Sequence, residues 1–277
     1  MRSYQIWSPG FDRSSGGICV LHRLAVELRK QDLNVFINTD VQNPKWPAIP
    51  VWRERVIEKD DIAIYPEIVS QNPFAANTVV RYLLNTPGSC SPDHSRTWGK
   101  DDILYTYSRL FNTKLGLPDD RVMLIPHIDL DVFYDKRLPR NGRLVYRGKG
   151  QQPEDKRLSG YPLLGHKESF RGDGGQEMLA EALNRCELLY VLDSATAMNE
   201  IARLCGCPVC LVLDDTYTKE EYQQHEFYDA GGFGFGIEEA PIARATINSE
   251  LMRSDYEVAE AEFQKRLDIF IQTTQEA

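Results

Sequence analysis

One stretch in the second half of the chain constrains the fold more than any other. The apolar run Leu188–Leu192 predicts a buried strand, and a second apolar strand begins after Pro208. Between them, Ser194 and Thr196 stand where a helix would begin, and Gly206 stands where it would end. This order of strand, helix and strand predicts a βαβ unit, whose two strands are parallel members of one sheet.

The same alternation of strands and helices extends along the rest of the chain. Further apolar runs predict strands at residues 4–7, 34–38, 61–65, 78–84, 103–107, 121–125 and 144–146, and apolar residues at helical spacing predict helices at 17–30, 176–186 and 255–272. The strands are continuously apolar rather than alternating, which is typical of a parallel sheet covered on both faces. Residues 229–236 are rich in glycine and predict a turn, and the polar stretch 134–142 is a candidate linker. We therefore expect an α/β fold with two units.

Composition and charge exclude several classes of protein. Hydrophobic residues make up 42% of the 277 positions, which is enough for a packed core and argues against disorder. The net charge of −9 argues against nucleic acids and anionic membranes as partners, since both attract basic surfaces. No run approaches the about 20 apolar residues that span a membrane, and the first residues are too polar for a signal peptide. We therefore expect a cytoplasmic protein.

Three of the six cysteines, Cys205, Cys207 and Cys210, have a spacing that invites comparison with zinc sites. They lack a second pair of ligands at zinc-finger spacing, and they fall on a helix end and an apolar strand. The sequence therefore favours buried free thiols over a metal site. Asp214 and Asp215 follow a strand and could in principle bind a metal, but a surface turn is the favoured interpretation.

Two segments at predicted strand ends offer groups that suit a phosphate. Gly16 and Gly17 lie between the first strand and the first helix, where glycines let the backbone approach a phosphate or a sugar. Arg147 and Lys149 follow the strand at 144–146, and two cations at that place suit a diphosphate. A plain tight turn and a solvated basic pair are the respective alternatives.

The strand–helix–strand stretch adds groups that suit a nucleotide. The N–H groups of the helix start marked by Ser194 and Thr196 favour phosphate, although capping a helix is the usual role of these residue types. Glu200, with Asn199 beside it, lies about one turn inside the helix, where its carboxylate could bond both hydroxyls of a ribose. An ordinary first-turn acid, favoured by the helix dipole, is the alternative.

Three residues are candidates for acid–base chemistry. His127 falls at the end of the last predicted strand of the first half, next to the candidate linker, and a structural role is the alternative. Asp93 and His94 are adjacent in a loop, where the pair could act as a base or contact an acceptor, with a plain loop as the alternative. The sequence contains neither a nucleophile elbow nor a phosphate loop of the Walker type.

Taken in order, these features resemble the GT-B glycosyltransferases, especially the retaining group around family 4. Ser15–Ile18 and the helix after it are similar to the family's N-terminal Gly-Gly loop, and Arg121–Phe133 is similar to its interdomain signature. Tyr146–Lys149 resembles the element that meets the donor diphosphate, and Ser194–Val209 resembles the element that meets donor sugar, phosphate and ribose. The family's paired glutamates would need an acid at position 192, where this chain has Leu192.

The resemblance implies two Rossmann-like domains that face each other across a cleft. An N-terminal acceptor-side domain would span residues 1–134, and a nucleotide-sugar-binding domain would span residues 135–254. A C-terminal helix, at residues 255–277, would cross back and pack on the first domain.

The resemblance also implies a reaction. A sugar would move from a nucleotide-diphosphate donor to a glycan or other acceptor, with retention of configuration and without a metal or a cofactor. Arg147, Lys149 and the predicted helix start would stabilise the charge of the leaving diphosphate. An inverting version would require a base, for which the candidates are His94, Asp93 and His127.

Two alternatives stay open at this point. A phage-type enzyme that glycosylates a modified cytosine in DNA uses the same fold; the small size of the chain suits it, and the net charge of −9 speaks against it. From another class, a non-catalytic nucleotide-sugar binding protein or an epimerase could use the same donor site.

Overall fold

The computed structural model describes residues 1–51, 58–89, 91–148, 155–165, 170, 172, 174–212 and 216–277. The chain divides into two compact units. The first comprises Met1–His127 and Ala259–Ala277, and the second comprises Ile128–Val258. The first unit therefore ends before position 134, where the sequence analysis placed its boundary.

The first unit is built on a five-stranded parallel sheet. Its strands are β1 (Tyr4–Ile6), β2 (Val35–Ile37), β3 (Ile62–Tyr65), β4 (Thr78–Leu83) and β5 (Ile103–Thr106), in the spatial order β2-β1-β3-β4-β5. Helix α1 (Gly16–Lys30) connects β1 to β2, and the short helix α2 (Arg109–Asn112) follows β5. Each strand lies within a predicted apolar run, because residues buried on both faces of a parallel sheet leave no polar alternation.

The sixth strand predicted for this unit, at residues 121–125, does not form. Val122 makes one isolated bridge with Thr106, and the N–H of Met123 donates to the carbonyl oxygen of Thr106 at 2.9 Å. Met123 and Ile125 are nevertheless buried in the hydrophobic core. The prediction was wrong because an apolar run reports burial, whereas a strand also requires a continued ladder of backbone hydrogen bonds.

The second unit has a four-stranded parallel sheet in the order β6-β7-β8-β9. Its strands are β6 (Arg143–Tyr146), β7 (Leu188–Val191), β8 (Val209–Leu211) and β9 (Phe233–Phe235), and its helices are α3 (Gly175–Arg185), α4 (Met198–Leu204), α5 (Lys219–Tyr222) and α6 (Ala240–Thr246). Strand β9 corrects the turn predicted at residues 229–236. Glycines before and within β9 interrupt its apolar run, so the sequence pattern does not predict this strand, which pairs with β8.

The order β7, α4, β8 confirms the predicted βαβ unit, and α4 ends where Gly206 was expected to end it. Gly206 has a φ of +71°, and its N–H donates to the carbonyl oxygen of Arg203 at 2.9 Å. The N–H of Cys207 donates to the carbonyl oxygen of Ala202 at 2.9 Å. These two bonds form a Schellman motif, which satisfies the last carbonyl groups of the helix and requires a residue that tolerates positive φ.

The candidate linker at residues 134–142 is packed into the second unit. The guanidinium of Arg140 donates to the carbonyl oxygens of Leu183 at 3.0 Å and of Cys205 at 2.5 Å, and it pairs with Asp135 at 2.8 Å. Arg140 thereby ties this segment to the C-terminal ends of α3 and α4. The polar residues of this segment therefore include ones that bond it to the second unit.

Helix α7 (Ser249–Glu276) is longer at both ends than the predicted helix at residues 255–272. Its C-terminal part belongs to the first unit, where Phe263, Leu267 and Phe270 are part of the hydrophobic core. Phe270 contacts the ring of Tyr105 edge-to-face, with 4.9 Å between the ring centroids. The apolar residues predicted for this helix thus include the ones that anchor it.

The cysteines of the described residues are buried free thiols, as the sequence predicted; they are Cys19, Cys186, Cys205, Cys207 and Cys210. Burial raises the pKa of Cys205 to about 12 and the pKa of Cys210 to about 11. Cys90 and the pair Asp214-Asp215 lie outside the described residues.

Over the described part of the chain, no helix combines the length and the apolar character needed to cross a membrane.

Candidate active site

The carboxyl edge of the second sheet brings together the turns that follow β6 and β7. Arg147 is exposed and comes directly after β6, and Gly148 follows it with a φ of +68°. A Cβ atom on Gly148 would collide with the side chain of Asp193, which comes after β7. Glycine at position 148 therefore lets the two turns touch. Lys149, the second predicted cation, lies outside the described residues.

The turn after β7 starts the helix later than the sequence predicted. Helix α4 begins at Met198 and not at Ser194, because the carboxylate of Asp193 accepts the N–H of Ala195 at 3.1 Å and holds the next residues in a turn. The hydroxyl oxygen of Thr196 accepts the N–H of Met198 at 3.4 Å. The predicted helix start at Ser194 was thus wrong, and Thr196 helps to shape the turn that precedes α4.

The side chain of Asn199 is buried and makes hydrogen bonds inside the second unit. It is only 1% exposed, and its amide nitrogen donates to the carbonyl oxygen of Ser194 at 3.2 Å and to the hydroxyl of Tyr222 at 2.8 Å. These bonds use both amide hydrogens. The hydroxyl of Tyr222 donates in turn to the carbonyl oxygen of Ser194 at 3.2 Å. Asn199 therefore holds the turn in place, and its amide has no hydrogen left for the predicted contact with a nucleotide.

Glu200, the third residue of α4, is hydrogen-bonded to a residue that the sequence analysis did not single out. Nε2 of His225 lies 2.9 Å from Oε1 of Glu200, and the side chains are 11% and 10% exposed. The N–H of Phe227 donates to Nδ1 of His225 at 3.2 Å. Since Nδ1 accepts that bond, the ring proton sits on Nε2 and is donated to Glu200.

The environment of Glu200 favours its ionised form. Burial acts to raise its pKa, but the hydrogen bond from His225 and the positive charge of Arg203 outweigh it, and the pKa lies below its usual value. Arg203 is fully buried, and its guanidinium lies 3.9 Å from the centroid of the Phe233 ring. Burial lowers the pKa of Arg203 to about 10, so it keeps its charge at neutral pH.

The sequence indicates one of the residues around Glu200 but not the others. Arg203 lies three positions after Glu200 on the same helix, so their spacing alone indicates that they share a face. His225 and Tyr222 lie on a later segment, and only the packing of that segment brings them to α4.

In the first unit, Gly16 and Gly17 are the first two residues of α1, which begins one residue before the predicted helix at residues 17–30. The hydroxyl of Ser15 makes no capping bond, and no acidic residue occupies the first turn. The first N–H groups of a helix have no acceptor inside it, so this end carries partial positive charge. The preceding loop is held by His22, a residue the sequence analysis missed, whose Nε2 lies 3.1 Å from the carbonyl oxygen of Pro9.

The three acid–base candidates all lie in the first unit and differ in their surroundings. Nδ1 of His127 lies 3.4 Å from the hydroxyl of Tyr107, and the two rings meet edge-to-face. Asp93 accepts the N–H of Ser95 at 2.9 Å, and hydrogen bonds from Ser95 lower the pKa of Asp93. His94 precedes the short 3₁₀ turn that begins at Ser95. Asp93 thus serves a local turn, and a lowered pKa makes it a weaker base.

Two solved structures resemble the whole chain. A glycosyltransferase involved in avilamycin A biosynthesis, AviGT4, aligns with a TM-score of 0.55 at 12% sequence identity, over 98% of this chain and 98% of that one. Sucrose-phosphate synthase from Thermosynechococcus elongatus aligns with a TM-score of 0.53 at 10% identity, over 100% and 99% of the two chains. The chain has the GT-B fold. At these identities the likeness concerns the fold alone.

The GT-B fold agrees with the two parallel sheets, and it confirms the predicted fold class. No protein-family model matches the sequence, and a comparison with curated proteins also finds no match. The likeness in fold says nothing about the acceptor, so it gives no support to a DNA base. The described residues contain no group of three or more His, Cys, Asp or Glu placed to hold a metal ion.

Proposed function

We propose that this protein transfers a sugar from a nucleotide-diphosphate donor to a glycan or a related acceptor, and that it does so in the cytoplasm. One observation carries the proposal. In a GT-B fold, the carboxyl edge of the second sheet holds a nearly buried carboxylate, that of Glu200, which a neighbouring histidine keeps ionised. An ionised carboxylate has only acceptors to offer, and the hydroxyls of a ribose are donors.

The donor diphosphate would lie against the turn after β6. Arg147 and Lys149 come directly after that strand and offer two positive charges. Gly148 has no side chain, and the space that a Cβ atom would need is taken by Asp193. The two cations would stabilise the charge that develops on the leaving diphosphate, so we propose that the reaction needs no metal ion.

We propose further that the configuration at the sugar is retained. In that case the leaving phosphate takes the proton of the acceptor hydroxyl, and no side chain has to act as a base. If the product is inverted instead, His127 is a candidate for the base, since its Nδ1 lies 3.4 Å from the hydroxyl of Tyr107, which can orient the ring.

Glu200→Gln tests the donor site, with Glu177→Gln as a matched control. Glu177 is also the third residue of its helix, α3, but it is exposed. We expect Glu200→Gln to weaken binding of UDP, GDP or ADP by about tenfold, which corresponds to about 1.4 kcal/mol. A glutamine offers one acceptor oxygen to both His225 and the ribose. Glu177→Gln should leave the dissociation constant unchanged.

The measurements are isothermal titration and thermal shift, followed by an assay of sugar-nucleotide hydrolysis. A wild-type protein that binds none of the three nucleotide diphosphates would refute the proposed function. Binding without turnover of any UDP-, GDP- or ADP-sugar would instead identify a non-catalytic nucleotide-sugar binding protein. A Glu200→Gln variant that binds as tightly as the control would remove Glu200 from the site.

A further inference from the structure

We propose that His225 is a positioning residue of the donor site, which orients the carboxylate of Glu200 for a nucleotide by donating a hydrogen bond from Nε2. This inference rests on the proposed function, because it concerns the same site. It starts from the 2.9 Å distance between Nε2 of His225 and Oε1 of Glu200. The bond occupies one oxygen and leaves acceptor capacity on the carboxylate for a ligand.

The direction of this bond is set by the backbone. The N–H of Phe227 donates to Nδ1 of His225, so that nitrogen has to be unprotonated. A neutral ring with its proton on Nε2 satisfies both partners, whereas a doubly protonated ring would set two N–H groups against each other at Nδ1. The hydrogen bond to Glu200 therefore does not require a charged ring.

The ring is also held in place by stacking. His225 lies parallel to the ring of Tyr222, with 5.5 Å between the centroids and an angle of 6° between the planes. Tyr222 is fully buried, and its hydroxyl bonds Asn199 and the carbonyl oxygen of Ser194. One aromatic residue thus supports both the turn that precedes α4 and the histidine that holds Glu200.

Charged and titratable groups from several elements face this pair. Arg203 acts on Glu200 from the same helix, and Tyr222 faces it from α5. Asp193 faces Tyr222 from the turn after β7, and Asp255 of α7 acts on Arg203. Without the bond from His225, burial would act on Glu200 against only the charge of Arg203 and a backbone hydrogen bond. We therefore expect the carboxyl group to take up a proton at higher pH when that bond is lost.

Two substitutions at position 225 separate the hydrogen bond from the packing. His225→Phe keeps a ring that can stack on Tyr222 but removes the donor. His225→Gln keeps an N–H donor near the position of Nε2. We expect His225→Phe to weaken UDP binding about tenfold at pH 7 and to make it weaker still as the pH falls to 5. His225→Gln should stay within about threefold of the wild type and should lack that pH dependence.

A double-mutant cycle with Glu200→Gln shows whether His225 acts through Glu200. If it does, His225→Phe costs little further affinity once Glu200 has been replaced, since the residue it positions is already gone. Fully additive losses would overturn the proposal. A His225→Gln variant that binds UDP as weakly as His225→Phe would overturn it too.

Stability as a function of pH tests the same bond without any nucleotide. In the wild type the lowered pKa of Glu200 contributes stability above the unfolded-state value of about 4.3, and that contribution is lost as the pH falls. In His225→Phe we expect the pKa of Glu200 to be higher, so this contribution should be smaller, and the free energy of unfolding should fall less on acidification than in His225→Gln, which also lacks the imidazole but keeps the donor. Urea unfolding at several pH values measures this.

The two proposals can fail separately. If the wild type binds no nucleotide diphosphate, the proposed function fails, while a smaller loss of stability at acid pH in His225→Phe than in His225→Gln still supports His225 as the residue that positions Glu200. If these two variants show the same pH dependence, His225 does not control Glu200. Should His225→Phe fail to fold, His225→Asn provides the same comparison, because its shorter side chain cannot bring a donor to Glu200.

Discussion

Replacing Gly148 with alanine tests the close approach between the turns after β6 and β7. Gly148 has a φ of +68°, and an added Cβ atom would collide with the side chain of Asp193. Gly142, at the other end of β6, provides a matched control. Its φ is +70°, but a Cβ atom added there would meet no heavy atom within 4 Å. Both substitutions place an alanine at a positive φ, so both carry the free-energy cost of that conformation. Only Gly148→Ala adds a collision.

The expected losses in the free energy of unfolding follow from the backbone conformation and the collision. An L-residue in the left-handed region costs about 1–2 kcal/mol relative to glycine. Alanine recovers about 0.4–1 kcal/mol by restricting the unfolded chain. Gly142→Ala should therefore destabilise the protein by about 1 kcal/mol. Gly148→Ala adds an overpacking cost of about 1–3 kcal/mol, because Asp193 is buried and cannot move away freely.

Urea unfolding of both variants measures the difference, provided that the dependence on urea concentration stays the same. Asp193→Gly supplies a further check, since it removes the atoms with which the new Cβ atom collides. In the double variant, Gly148→Ala should cost about as much as Gly142→Ala does alone. If Gly148→Ala and Gly142→Ala destabilise the wild type equally, within about 0.5 kcal/mol, the close approach is not what requires glycine at position 148.

Two more predictions concern the first unit. Phe270→Ala should lower the free energy of unfolding by about 3–5 kcal/mol, because Phe270 is fully buried. Ile269→Ala, at a partly exposed neighbouring position, should lower it much less in the same urea titration. Burial lowers the pKa of His22, so its contribution to stability is present above the unfolded-state value of about 6.5 and is lost as the pH falls. His22→Gln cannot titrate, and its unfolding free energy should fall less than that of the wild type between pH 7 and pH 5; parallel curves would contradict this assignment.

Continuous apolar runs were a reliable guide to the sheets. Residues 78–84 and 188–192 each contain a strand, because strands buried on both faces are selected for apolar side chains along their whole length. The same criterion misled at residues 121–125, which are buried without forming a ladder, and it missed β9, whose central glycine interrupts the run. Sequence patterns report burial directly and hydrogen bonding only indirectly.

The candidate site was predictable only in part. Glu200 and Gly206 could be placed, since their positions relative to the predicted helix follow from local periodicity. The start of α4 could not, because a hydrogen bond from Ala195 to Asp193 delays the helix. Both amide hydrogens of Asn199 are used inside the protein, one of them on a tyrosine from a later helix, which no local pattern indicates; its side-chain oxygen has no hydrogen-bond partner among the described residues.

The sequence by itself determined the class of fold, since the order of apolar runs, helices and glycines specifies parallel sheets through local physics. Tertiary structure alone decided which side chains meet at the carboxyl edge of the second sheet. His225 reaches Glu200 because the segment after α5 packs against α4, and no pattern in the sequence encodes a contact between residues 25 positions apart. The partners that packing supplies then decided the charge of that carboxylate, because they outweigh the effect of burial on its pKa.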